Sequence, residues 1–183
     1  MKTLYKAILN KLKDSKTAFT EQGITPVNYI DLFADQYFMP EMFELFAENS
    51  VLMDWDIDHT SSPAIATLNI HCCYEQLRFT DNLSANTDLG LKFLDYVDIV
   101  HKLVSGVTTA QTGKLELNYE GFIKMDSIVD VYMLTYTCSY NGRTNHKMEY
   151  QDGQFEQANI DGNLVEKINP RQGQPWVDYG LGL

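Results

Sequence analysis

Along residues 2 to 15, apolar side chains return every four positions at Leu4, Ile8 and Leu12, with Tyr5 and Leu9 beside them and lysines elsewhere. That spacing predicts an amphipathic helix with one face packed on a sheet. A polar stretch from Thr20 to Pro26, containing Gly23, leads into a strand candidate over Val27 to Phe33. Residues 34 to 49, rich in Phe, Met and Glu and broken by Pro40, read as a loop or a short irregular piece. Ser50 to Ile57 and Ala64 to Phe79 read as strands that pair as an antiparallel hairpin. In the second of these, Leu68, Ile70, Cys72 and Tyr74 share a face because side chains alternate with period two.

The clearest helix follows the polar run Thr80 to Asn86. Leu89, Phe93, Val97, Val100 and Val104 recur at helical spacing, with Thr87 or Asn86 placed to cap the start and Gly106 marking the end. Lys114 to Met125 and Ile128 to Tyr140, rich in β-branched and aromatic residues, predict a second hairpin that turns near Asp126 and Ser127. Asn141-Gly142 is a further turn signal. The order of helix, strands, helix, strands predicts an α+β fold over residues 1 to 142, an antiparallel or mixed β-sheet packed against an N-terminal and a central helix. From Arg143 to Leu183 the pattern dissolves into Gln, Asn, Asp and Gly with single apolar residues, too sparse for a core of its own. This segment is either a solvated tail or an extended arm that orders on a neighbouring subunit. Phe155, Trp176 and Tyr179 favour the arm, because large aromatic side chains are typical interface anchors.

Charge sharpens the picture. The chain of 183 residues carries a formal net charge of −11, yet its first sixteen residues hold Lys2, Lys6, Lys11, Lys13 and Lys16 against the single acid Asp14. That segment contributes +4, which leaves −15 on the remainder. Such a surface repels phosphate and lacks the clustered cations that neutralise a nucleic-acid backbone, so tight DNA or RNA binding is not expected, while DNA sliding past without sticking, as passing cargo, is compatible with it. Eleven tyrosines suit strand faces and interfaces alike. No apolar run reaches the length of a signal peptide or membrane span, so the chain is expected in the cytoplasm with no membrane contact. Cys72, Cys73 and Cys138 are odd in number and show no paired spacing, which indicates neither a disulfide framework nor a zinc site.

Three carboxylates alternate in Asp54, Asp56 and Asp58, so on a strand all three share one face while Trp55 and Ile57 point to the core. The run begins like a calcium-binding loop, but His59 stands where glycine is needed and Ile65 where glutamate is needed. Two readings remain, the solvated face of an amphipathic strand and an acidic surface used in assembly or facing a channel. His71 lies beside Cys72 and Cys73, but neighbouring strand residues face opposite ways and do not converge on one ion. No nucleophile elbow and no phosphate-binding glycine loop occurs, so no catalytic residue, cofactor or metal is expected.

Several segments carry a resemblance. Tyr29 to Tyr37 (YIDLFADQY), Glu41 to Phe46 and Val51 to Trp55 resemble the tail terminator or tail-completion proteins of phages and prophages of Bacteroidetes-like hosts. Leu91 to Val100 is similar to that family's central helix and Tyr132 to Tyr140 to its last strand, so the likeness runs over roughly residues 1 to 140. Phe33 stands where the family has tryptophan, and the stretch after Asn141 has no counterpart. The resemblance implies a virion structural protein, assembled in the host cytoplasm. It implies a homohexameric ring that ends tail-tube polymerisation, with the tail-tube protein and the neck, head-completion or portal proteins as partners. The alternatives are a neck or head-completion connector and, from a different class, a small cellular ligand-binding or enzymatic α+β domain with a pocket of Tyr and Asp.

Overall fold

Helix α1 (Lys2–Asp14) forms where the apolar stripe predicts it, and Leu4, Ile8 and Leu12 are buried beneath it. Fully burying each such side chain contributes roughly 1.5–3 kcal/mol. The computed structural model describes residues 1–46, 48–75, 80–124 and 126–142. A short helix that the pattern does not predict, α2 (Lys16–Thr20), ends where the polar stretch Thr20 to Pro26 begins and buries Phe19 completely. Its turn closes at Gly23, whose φ of +66° lies in the left-handed region that favours glycine.

Five strands make one sheet in the order β1-β2-β3-β5-β4. Strand β1 (Tyr29–Leu32) runs parallel to β2 (Ser50–Asp58), and every other neighbouring pair is antiparallel. The fold is α+β with a mixed sheet, as the element order implies. Strand β2 and β3 (Ala64–Tyr74) form the expected hairpin, with Ser50 opposite Cys73 and Asp58 opposite Ile65. Strand β3 ends at Tyr74, short of the expected Phe79, and residues 76–79 lie outside the described set. The second hairpin joins β4 (Glu116–Phe122) to β5 (Asp130–Tyr140), with a bulge between Leu117 and Tyr119. Strand β5 is interior, inserted between β3 and β4, and its alternation of buried and half-buried residues is nearly perfect.

The central helix departs from its sequence reading at the start. A single turn, α3 (Thr87–Gly90), precedes α4 (Lys92–Ser105), and Leu89 points outward at 58% exposure. Neither Asn86 nor Thr87 caps α3 with its side chain; Thr87 Oγ1 donates to Ser84 O at 3.0 Å instead. From Phe93 onward the stripe holds, and Tyr96 joins it, fully buried, donating its hydroxyl to Ser50 O at 2.8 Å. Gly106 follows α4 as expected.

The sheet has two unequal faces. Val51 and Met53 of β2, Leu68, Ile70 and Cys72 of β3, and Leu134 and Tyr136 of β5 pack with α1, α2 and α4 in the main core. Trp55 and Ile57 lie half-buried at its margin. On the opposite face the described residues cover only the upper part. Residues 34–49, expected as an irregular piece, wind into two 3-10 segments, Gln36–Phe38 and Pro40–Phe46. They press Tyr37 and Phe46 onto Leu52, Cys73, Val129 and Val131 as a second, smaller core. The predicted arm at 143–183, with Phe155, Trp176 and Tyr179, lies outside the described residues.

Candidate functional site

The partly covered face is where the carboxylates stand. Residues directly opposite each other in a sheet share a side, so the register sorts this face into rungs. Leu52, His71, Met133 and Gly121 form one rung, and Asp54, Asn69, Thr135 and Tyr119 the next. Asp56, Thr67, Thr137 and Glu116 form the third, and Asp58, Ile65 and Ser139 the last. The face therefore grades from an apolar top, roofed by the 3-10 segments, to a polar floor where Thr67 and Thr137 are half-buried and Asp56, Asp58 and Glu116 are exposed.

The structure brings Asp54, Asp56 and Asp58 to one face but gives them different environments. Asp56 and Asp58 are exposed. Asp58 Oδ1 accepts the backbone N–H of Thr60 at 2.8 Å, and that bond holds its carboxyl below the usual carboxylate range. Asp54 is one-third exposed and sits in a polar chain. Its Oδ1 accepts from Asn69 Nδ2 at 2.7 Å, and its Oδ2 lies 2.7 Å from Nε2 of His71. Asn69 Oδ1 in turn accepts from Thr135 Oγ1 at 2.9 Å.

His71 is buried between these groups and the roof. Its Nδ1 lies 3.2 Å from the Tyr37 hydroxyl, and Phe33 stacks on its ring with centroids 4.6 Å apart and planes 18° apart. Burial pushes the Tyr37 hydroxyl well above its ordinary range, with Cys73, Asp54 and Asp35 adding to the shift, so it keeps its proton and donates to Nδ1. The other nitrogen, Nε2, then carries the hydrogen and donates to Asp54, which fixes a neutral tautomer. Burial lowers the His71 pKa, opposed by the hydrogen bond and charge of Asp54. A neutral imidazole with both nitrogens engaged and one ring face under Phe33 is a brace between roof and sheet. As arranged, it does not reach a ligand.

Cysteine placement follows the alternation expected from sequence. Cys72 belongs to the main core and Cys73 to the smaller one. All three cysteines are free and buried, and burial pushes the Cys72 and Cys73 thiols well above their usual range. Among the described residues no group of three or more His, Cys, Asp or Glu is placed to hold a metal ion. Nor is any described helix long and apolar enough to cross a membrane.

Tyr37, Asn69 and Thr135 were not singled out by sequence, and Phe33 only as a departure within the resemblance. The available signal was the polar alternation of Thr67, Asn69 and His71 with Thr135, Thr137 and Ser139, which marks an uncovered sheet face on two neighbouring strands. Other exposed apolar residues gather at the β4 edge, where Leu117, Tyr119 and Phe122 are 37%, 55% and 42% exposed. Neither a protein-family model nor a curated protein matches the chain.

Proposed function

We propose that this chain is a structural subunit of a tailed-phage virion, a tail-terminator-like protein that forms a hexameric ring at the head-proximal end of the tail. The ring stops tail-tube polymerisation and joins the tail to the neck, and the subunit works through contacts, with no chemistry, cofactor or metal of its own. The observation that carries the reading is the half-covered sheet, with Asp56, Asp58 and Glu116 exposed on its open floor and β4 unpaired along its outer side among the described residues. A broad open face and an open edge are surfaces that a second chain can cover.

The segments that carry the resemblance also make up the framework. Tyr29 to Tyr37 spans β1 and the aromatic clamp on His71, Val51 to Trp55 lies in β2, Leu91 to Val100 enters α4, and Tyr132 to Tyr140 lies in β5. The net charge of −11 suits a conduit wall, since it lets DNA slide without adhering. Peptide mass spectrometry of purified particles tests the reading. The chain is expected in particles that retain tails and in isolated tails, in the copy number of one small ring. Its presence only in the soluble fraction of the host would overturn the assignment.

A further inference from the structure

An exposed lysine stripe on α1 and exposed carboxylates on the opposite face of the sheet form two patches of opposite charge and similar length. At about 100° per residue, Lys2, Lys6 and Lys13 fall within roughly 40° of one another on α1, on the side away from Leu4, Ile8 and Leu12. All three are exposed, and among the described residues no carboxylate lies in ion-pair range of them. The helix itself gains nothing from the first two. Its first turn holds no acid, so Lys2 and Lys6 sit toward the positive end of the helix dipole, where cations are disfavoured. The stripe from Lys2 to Lys13 spans about 16 Å at 1.5 Å per residue.

On the opposite side of the sheet the third rung runs from Asp56 through Thr67 and Thr137 to Glu116. Three interstrand spacings of about 4.8 Å set the ends of that rung about 14 Å apart. Asp58 and the 44%-exposed Ile65 flank it on one side, and the 55%-exposed Tyr119 on the other. The rung is polar, with half-buried threonines in the middle and an exposed acid at each end, and no helix or 3-10 segment among the described residues lies over it.

We propose that the open sheet face of one copy receives the α1 lysine stripe of a second copy. This head-to-tail contact rests on the ring reading and supplies its interface. The two patches lie on different layers of the fold, so the contact is heterologous, the kind that repeats from copy to copy and closes when the rotation between copies allows. Lys2, Lys6 and Lys13 lie over the carboxylates at the two ends of the rung, their aliphatic stems against Ile65, Tyr119 and the threonine methyl groups. An exposed charge interface of this sort weakens as salt shortens the screening length from roughly 30 Å at 0.01 M to 8 Å at 0.15 M.

A charge-swap mixing experiment on the full chain tests the contact. One variant carries Lys2→Glu, Lys6→Glu and Lys13→Glu, and the other Asp56→Lys, Asp58→Lys and Glu116→Lys. Circular dichroism establishes that both are folded, and sedimentation velocity at low and high salt reads association. Each variant alone is expected to associate at least about tenfold more weakly than the native chain, because attraction at the contact becomes like-charge repulsion. An equimolar mixture restores association, since every junction then pairs an acidic with a basic patch. Native association that neither variant weakens, or a mixture that fails to recover, overturns this contact and leaves the ring standing. A native chain that stays monomeric at every salt concentration, also in the presence of tail-tube protein, overturns both.

Discussion

Replacing Asp54 by alanine removes two short hydrogen bonds at once, because its carboxylate accepts from Asn69 Nδ2 and from His71 Nε2 at 2.7 Å each. A hydrogen bond to a charged group contributes about 1.5–3 kcal/mol when buried. One-third of the Asp54 side chain is exposed, so water reaches the Asn69 side and restores part of that loss, whereas His71 is buried. The net cost is therefore set mainly by the imidazole N–H, at about 2 kcal/mol. For a chain of this size that lowers Tm by roughly 4–8 °C. Asp54→Asn, which keeps an acceptor and lets the imidazole change tautomer, is expected to cost about half as much. Asp56→Ala, at an exposed position on the same strand, stays within about 0.5 kcal/mol of the native chain. Urea unfolding followed by tyrosine and tryptophan fluorescence measures all three. Equal losses for Asp54→Ala and Asp56→Ala, or no loss for either, would refute the brace.

The same brace sets a pH dependence. Burial holds the native His71 pKa below 6.5, so the unfolded chain takes up the proton first and stability falls as pH drops from about 6.5 toward the native value. His71→Phe should flatten the difference in urea midpoint between pH 7.5 and pH 5.5, and parallel midpoints in both proteins would contradict the sign. Tyr96→Phe, which leaves Ser50 O without its buried donor, is expected to cost about 1–2 kcal/mol by the same assay, and a neutral result would show that the bond contributes nothing. Buried Cys72 and Cys73 should resist iodoacetamide in the folded chain and react in denaturant; rapid labelling of the native protein would place them at an accessible surface. Truncation after Gly142 is expected to leave a folded core that assembles poorly if 143 to 183 is an arm, whereas unimpaired assembly would identify a solvated tail.

Periodic segments were the legible part of this fold. The stripe of Leu4, Ile8 and Leu12 and the alternation of β3 and β5 are dictated by burial on one side, and burial writes itself into sequence as period. Short elements were less legible. Strand β1 lies within the expected Val27 to Phe33, but its parallel pairing with a partner some twenty residues on left no local trace, and α2, which buries a single side chain, Phe19, repeats too little to announce itself. Leu89 continued the helical spacing on paper yet faces out, because the chain breaks between α3 and α4 at Gly90 and Leu91. At the candidate site, the shared face of Asp54, Asp56 and Asp58 followed from alternation alone. The inequality among them did not, since it depends on Tyr37 and Phe33 arriving from another part of the chain to enclose His71. The aromatic richness of residues 33 to 46 was the trace of that roof, but nothing in its spacing says which strand it covers.

Native mass spectrometry of the full chain at low ionic strength, paired with negative-stain electron microscopy, tests the central claim most directly. The account predicts one closed assembly of six copies, visible as a ring with a central opening and lost progressively as salt rises. A strict monomer at every salt concentration, also in the presence of tail-tube protein, would contradict it.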